Sequence, residues 1–241
     1  MITVFDLTKH FGGVRALDHC NLKISRGGIT AIIGPNGCGK TTLFNVMTNL
    51  IPRDHGRVII AGKIVSDLPD FILAHGLLSR TFQEVRLFRD LTIREHFEIV
   101  LLDNELLWKS FFARKKNVDV KIKEFLQLVG LDKPLDTFAV DLSYGQRKLL
   151  DLAVALAKPH KVLLLDEPVA GVNPHLRESI KGLLSTLKER GETIVLIEHD
   201  MNFVMDIADH VIVMDQGKVL VEGKPSAIQK NKRVLEAYLG E

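Results

Sequence analysis

Three short runs constrain the fold. Ile29-Thr30-Ala31-Ile32-Ile33, Val162-Leu163-Leu164-Leu165 and Thr193-Ile194-Val195-Leu196-Ile197 are apolar at consecutive rather than alternate positions. A strand with two apolar faces must be covered on both, as a central strand of a parallel sheet is. Between the second and third runs, Leu176, Ile180, Leu183, Leu184 and Leu187 share one face of a helix. Strands alternating with helices define an α/β class with a mostly parallel sheet.

Other segments fill in the outline. Thr3 to Leu7 reads as a strand, and Cys20, Leu22 and Ile24 alternate with polar residues as in a half-buried one. Lys40 to Leu50 reads as a helix ended by Pro52. Val58 to Ala61 followed by Gly62-Lys63 reads as a hairpin strand, and Val211–Met214, Gln216-Gly217 and Val219–Val221 as a hairpin. The middle is helical: Thr92 to Trp108, then Val120 to Val129, where Ile122, Phe125, Leu126 and Val129 fall on one face. The basic and aromatic connector Lys109–Lys116 is a solvated loop or a contact with a membrane or partner.

Composition excludes several classes. With 241 residues, 46% of them hydrophobic, the chain can bury a sizeable core. A formal charge of +2 gives no general pull toward nucleic acid. Cys20 and Cys38 stand in no metal-ligand spacing, so a reducing, cytosolic compartment is expected. Met1–Asp6 reaches an acid too early for a signal peptide, and no uninterrupted apolar run approaches the ~18 residues that span a bilayer. Any work at a membrane is expected from outside the lipid.

The first apolar run leads into Gly34-Pro35-Asn36-Gly37-Cys38-Gly39-Lys40-Thr41-Thr42. Gly-x4-Gly-Lys-Thr between a strand and a helix is a P-loop: bare backbone N–H groups cradle phosphate oxygens, and the helix N-terminus adds its dipole. Lys40 is expected to reach the β- and γ-phosphates and Thr41 to ligate Mg²⁺. The second run ends in Asp166-Glu167. Asp166 is expected to hold Mg²⁺, and Glu167 to poise a water against the γ-phosphate.

Leu142-Ser143-Tyr144-Gly145-Gln146 resembles the LSGGQ signature of ABC-type ATPases, the nucleotide-binding subunits of ATP-binding-cassette transporters. The resemblance covers nearly the whole chain. It implies a P-loop NTPase core with an N-terminal antiparallel β subdomain, in residues 1–84 and 146–241, and an inserted α-helical signature subdomain in residues 85–145. It further implies that Phe11 stacks on adenine, that Gln83 in Arg80-Thr81-Phe82-Gln83 senses Mg²⁺ and the γ-phosphate, and that His199 is the switch histidine. Ser143, Gly145 and Gln146 would meet the ATP held by a second subunit. Ala170-Gly171-Val172-Asn173 occupies the D-loop. Tyr144 departs from the glycine usual at its position and Asn173 from the usual aspartate.

"RTFQEVRLFRDLTIREH", "DEPVAGVNP", "LIEHDM" and "AYLGE" look like the ATPase subunits of branched-chain amino acid importers. Urea and short-amide importers and the lipopolysaccharide exporter are similar alternatives. That resemblance implies transmembrane permease subunits, a solute-binding protein acting indirectly, and a peripheral place on the cytoplasmic face of the inner membrane. Val85, Leu87 and Phe88, interleaved with Arg86 and Arg89, either line a groove for a permease helix or pack the insertion onto the core. A soluble non-transport ABC ATPase and a P-loop kinase are the readings outside transport.

Overall fold

The computed structural model describes residues 1–65, 68, 76–101 and 111–239. It contains two sheets. In the first, β1 (Ile2–Phe11) and β2 (Val14–Ile24) form a long antiparallel hairpin, extended by β4 (His55–Ile60) and β5 (Lys63–Ile64) in the order β2-β1-β4-β5. The second contains β3 (Gly28–Ile33), β6 (Leu78–Arg80), β7 (Val162–Asp166), β8 (Thr193–Ile197), β9 (His210–Asp215) and β10 (Lys218–Gly223). Its order is β10-β9-β3-β8-β7-β6, parallel except for β10 at one edge.

All three apolar runs lie in this parallel sheet, buried along their length. Their side chains alternate between two cores. Ala31, Leu163, Leu165, Ile194 and Leu196 face the helical layer. Ile32, Leu164, Val195 and Ile197 face the antiparallel sheet. Helix α1 (Lys40–Met47) is wedged into the second core by Leu43, Phe44 and Met47.

The helical layer comprises α2 (Ile93–Leu101), α3 (Phe111–Val129), α4 (Tyr144–Ala157), α5 (Pro174–Glu189), α6 (Met201–Ile207), α7 (Pro225–Ile228) and α8 (Lys232–Leu239). Ile180, Leu183, Leu184 and Leu187 form the buried face of α5, with Leu176 packed at its margin. Phe97 of α2 is fully buried and stacks on Phe125 of α3, ring centroids 6.1 Å apart.

Several elements differ from expectation, and one lies partly outside the described residues. The connector Lys109–Lys116 is not a loop throughout: the backbone is helical from Phe111, in a stretch free of Gly and Pro and rich in helix formers such as Ala113, Arg114 and Lys115. The helix expected over Thr92–Trp108 spans Ile93–Leu101, and residues 102–110 lie outside the described residues. Helix α1 ends at Met47, three residues before the expected Leu50, because Asn49 takes a positive φ of 58°. Strand β1 runs well past Leu7, and β6 is too short for its pattern to mark it.

Phe97→Ala leaves a cavity between α2 and α3 without touching the strand ends that carry the phosphate loop. Unfolding by urea is expected to show a loss of about 3–5 kcal/mol, with nucleotide affinity unchanged.

Candidate functional site

Strands β3, β8, β7 and β6 are neighbours running in one direction, so the segments leaving their carboxyl ends meet at one edge of the sheet. From β3 comes the phosphate loop, from β7 Asp166 and Glu167, from β8 Glu198 and His199, and from β6 the segment to Gln83. Ligands of open α/β sheets bind at such an edge.

Two glycines give the loop its path. A Cβ on Gly34 would lie 2.1 Å from the Met214 carbonyl oxygen, and one on Gly39 would lie 2.3 Å from that of Ala16. Both also have positive φ, 148° and 106°. Lys40 is only 5% exposed, and its ammonium donates to the carbonyl oxygens of Gly34 (2.7 Å) and Pro35 (2.8 Å). Thr41 is exposed on the first turn of α1, and Asn36 and Gly37 are exposed on the loop. Burial raises the Cys38 thiol pKa, and Lys40 opposes the rise.

Behind the loop, Asp166 is buried and ion-paired: Arg80 donates to Asp166 Oδ2 at 2.9 Å. The same guanidinium donates to Asn45 Oδ1 (2.9 Å) and Thr48 Oγ1 (3.1 Å) on α1, and lies 5.4 and 4.7 Å from the ring centroids of Phe44 and Phe82. Asp166 Oδ1 is buried with no hydrogen-bond partner. Burial raises the Asp166 pKa, opposed by Arg80.

Glu167, Gln83 and His199 come together. Gln83 Nε2 donates to Glu167 Oε2 at 3.1 Å, and His199 Nε2 lies 2.7 Å from Glu167 Oε1. Glu167 takes a positive φ of 50°, uncommon for a side chain of this size. Its backbone is pinned on both sides: its N–H donates to the Ile197 carbonyl, and its carbonyl accepts from Lys148 Nζ and the Ala170 N–H. Lys148 is 7% exposed among Glu198, Glu167, Asp151 and Asp166; burial lowers its pKa and these acids oppose that. Lys148, Asp151 and Asp166 also line a small cavity of about 20 Å³.

At the amino end of α4, Ser143 is the N-cap in a reciprocal capping box with Gln146. Tyr144 stands beside Gly171, its ring carbons 3.4 and 3.8 Å from where a Cβ on that glycine would lie. Asn173 caps α5 by accepting from the Leu176 N–H at 2.9 Å, a task that asparagine and aspartate perform equally well. The Asn-Pro pair at 173–174 carried that signal. Phe11 is 50% exposed at the end of β1, with Lys9 Nζ 5.5 Å from its ring. Arg80, Lys148 and Glu198 were assigned no role from the sequence.

A family profile described as ABC transporter matches residues 17–170, and one described as Branched-chain amino acid ATP-binding cassette transporter matches residues 218–241. The chain belongs to the ATP-binding, ATP-hydrolysing subunits of ABC transporters. Within them it is similar to the branched-chain amino acid cassettes: a high-affinity branched-chain amino acid transport ATP-binding protein of Pseudomonas aeruginosa is 36% identical, covering 100% of this chain and 98% of the relative. An ATP-binding cassette solved in its ADP conformation superposes with a TM-score of 0.84 at 31% identity, covering 100% of this chain and 99% of the other. A cassette solved as a dimer in a post-hydrolysis state with ADP and Pi gives 0.83 at 27% identity, covering 93% and 99%.

Arg80→Met leaves a buried carboxylate without its cation. Stability is expected to fall by about 3–5 kcal/mol, and most of the loss should be recovered when Asp166→Asn is added. Urea unfolding of the two single variants and the double variant measures the coupling.

Burial pushes the Asp151 carboxyl up to about 7, with Lys148 opposing. The folded chain therefore keeps a proton that the unfolded chain releases near the ordinary carboxylate value. This contribution is fully present below that ordinary value and is lost as pH rises through about 7. Asp151→Asn should flatten the decline in stability between about pH 4 and 7, a difference of a few kcal/mol at most, read from unfolding midpoints across that range.

Proposed function

We propose that the chain binds MgATP along the carboxyl edge of its six-stranded sheet, hydrolyses it in a closed dimer, and so powers the uptake of branched-chain amino acids. The observation that carries this reading is the Gln83–Glu167–His199 cluster at the end of β7, on the edge that also carries the P-loop.

Lys40 exchanges the Gly34 and Pro35 carbonyls for the β- and γ-phosphate oxygens of ATP. The other loop residues, Gly34–Gly39 with Thr42, line the phosphate cradle, and Phe11 offers the adenine an exposed ring. Thr41, Asp166 and Gln83 would hold Mg²⁺; the unpartnered Asp166 Oδ1 fits such an ion, which would neutralise charge on the phosphate oxygens. Glu167 orients the attacking water and takes its proton. In the structure its two oxygens are engaged by Gln83 and His199. A γ-phosphate competing for His199 would release one oxygen for that water.

The signature completes the site in trans. Ser143, Gly145 and Gln146 lie at a helix N-terminus, where a phosphate of a neighbouring subunit is favoured. The dimeric relative with ADP and Pi supports dimerisation. The second ATPase subunit is an identical or a sister chain. Residues 85–145 act as the signature subdomain against a core formed by residues 1–84 and 146–241.

The transporter role supports a peripheral place on the cytoplasmic face of the inner membrane, with permease subunits as direct partners and a solute-binding protein as an indirect one. Among the described residues no helix is long and apolar enough to cross a membrane. The permease contact falls on Val85–Arg89. Buried His96 holds this segment by accepting the Phe88 N–H at 3.0 Å, which leaves the Phe88 ring 62% exposed while Leu87 packs on the core.

Glu167→Gln tests the reading. Nucleotide binding should persist, turnover should fall by about 10²- to 10⁴-fold, and the chain should be trapped as a dimer in ATP and Mg²⁺ by size-exclusion chromatography. Turnover near the parent rate would remove Glu167 as the base.

A further inference from the structure

Glu198 is the second buried acid at this edge, 2% exposed, and the chemistry above gives it no task. Its carboxylate accepts backbone N–H groups from two different segments. Val169, which leads into Ala170–Asn173, donates to Oε1 at 3.0 Å, and His199 donates to Oε2 at 3.1 Å. Burial raises the Glu198 pKa and these backbone bonds oppose the rise. Lys148 supplies a nearby buried cation.

We infer that Glu198 is a positioning residue that clasps the D-loop to the switch-histidine loop. The geometry requires it to act on two peptides at once. Glu167 begins the turn that Val169 continues, and that turn is already tied to β8 through the Glu167 N–H and the Ile197 carbonyl. Glu198 adds a second tie three residues after Asp166. A displacement of Val169 therefore moves the His199 peptide, and with it the reach of His199 Nε2 to Glu167. This deepens the ATPase reading: the state of the loop facing a second subunit is transmitted to the hydrolytic centre by one carboxylate.

The experiment uses Glu198→Ala and the isosteric Glu198→Gln in the full chain. For Glu198→Ala, kcat should fall at least ~10-fold while the KM for ATP stays within ~3-fold. Amide exchange followed by NMR should accelerate together at Val169 and His199 by ~10-fold or more, with Ile194–Leu196 unchanged. Glutamine keeps one accepting oxygen, so Glu198→Gln should retain protection at one of the two amides and show intermediate turnover. Parent-like turnover in Glu198→Ala overturns the inference, as does acceleration spread evenly over the chain. Should the alanine variant not fold, Glu198→Gln decides, and parent turnover with both amides protected overturns it. Amide exchange reads the clasp whichever residue is the base, whereas Glu167→Gln reads the base alone, so the two failures are distinguishable.

Discussion

The Arg80 guanidinium ties together the three elements on which the nucleotide edge depends. It reaches Asp166 at the end of β7, Asn45 and Thr48 on the helix that follows the phosphate loop, and the rings of Phe44 and Phe82. A buried carboxylate of this kind is costly without a counter-charge, and a lysine in its place could not present a planar fork to several acceptors. Arginine satisfies one Asp166 oxygen and leaves the other unpartnered. The acid is thus held in a fixed orientation, and Arg80 opposes the rise in pKa that burial imposes on it.

A second layer of buried charge lies beside it. Lys148 holds the Glu167 carbonyl, and Glu198 holds the peptides of Val169 and His199. Together they help to fix Glu167, held at positive φ between Gln83 and His199. Backbone strain at a functional residue persists only where the surroundings over-determine it. Here the surroundings are a strand on one side and a helix cation on the other.

Much of this was legible in the chain, and the boundary of legibility is physical. The phosphate loop could be read because its chemistry demands particular residues at fixed spacing between a strand and a helix. The acids at 166–167 could be read because an apolar run ends in two carboxylates in a chain that also carries a P-loop, whose chemistry calls for them. Arg80, Lys148 and Glu198 could not. Their partners lie 86, 19 and 29 residues away, and nothing local to a lone arginine, a lysine on an apolar helix face or a glutamate before a histidine announces a buried pairing. The helix from Phe111 was hidden for a different reason: clustered positive charge there suggested a solvated loop, whereas the lack of any Gly or Pro was the better guide.

Tyr144 illustrates what a departure from a common pattern can do. Its ring rests beside Gly171, so the start of α4 and the loop after Glu167 lie against each other. A glycine at 144 would leave that seam open and let each segment librate separately. With an aromatic wedge in place the two segments are coupled, and in the proposed closed dimer they would meet the neighbouring subunit as one stiff rim, which would favour all-or-none docking over gradual adjustment.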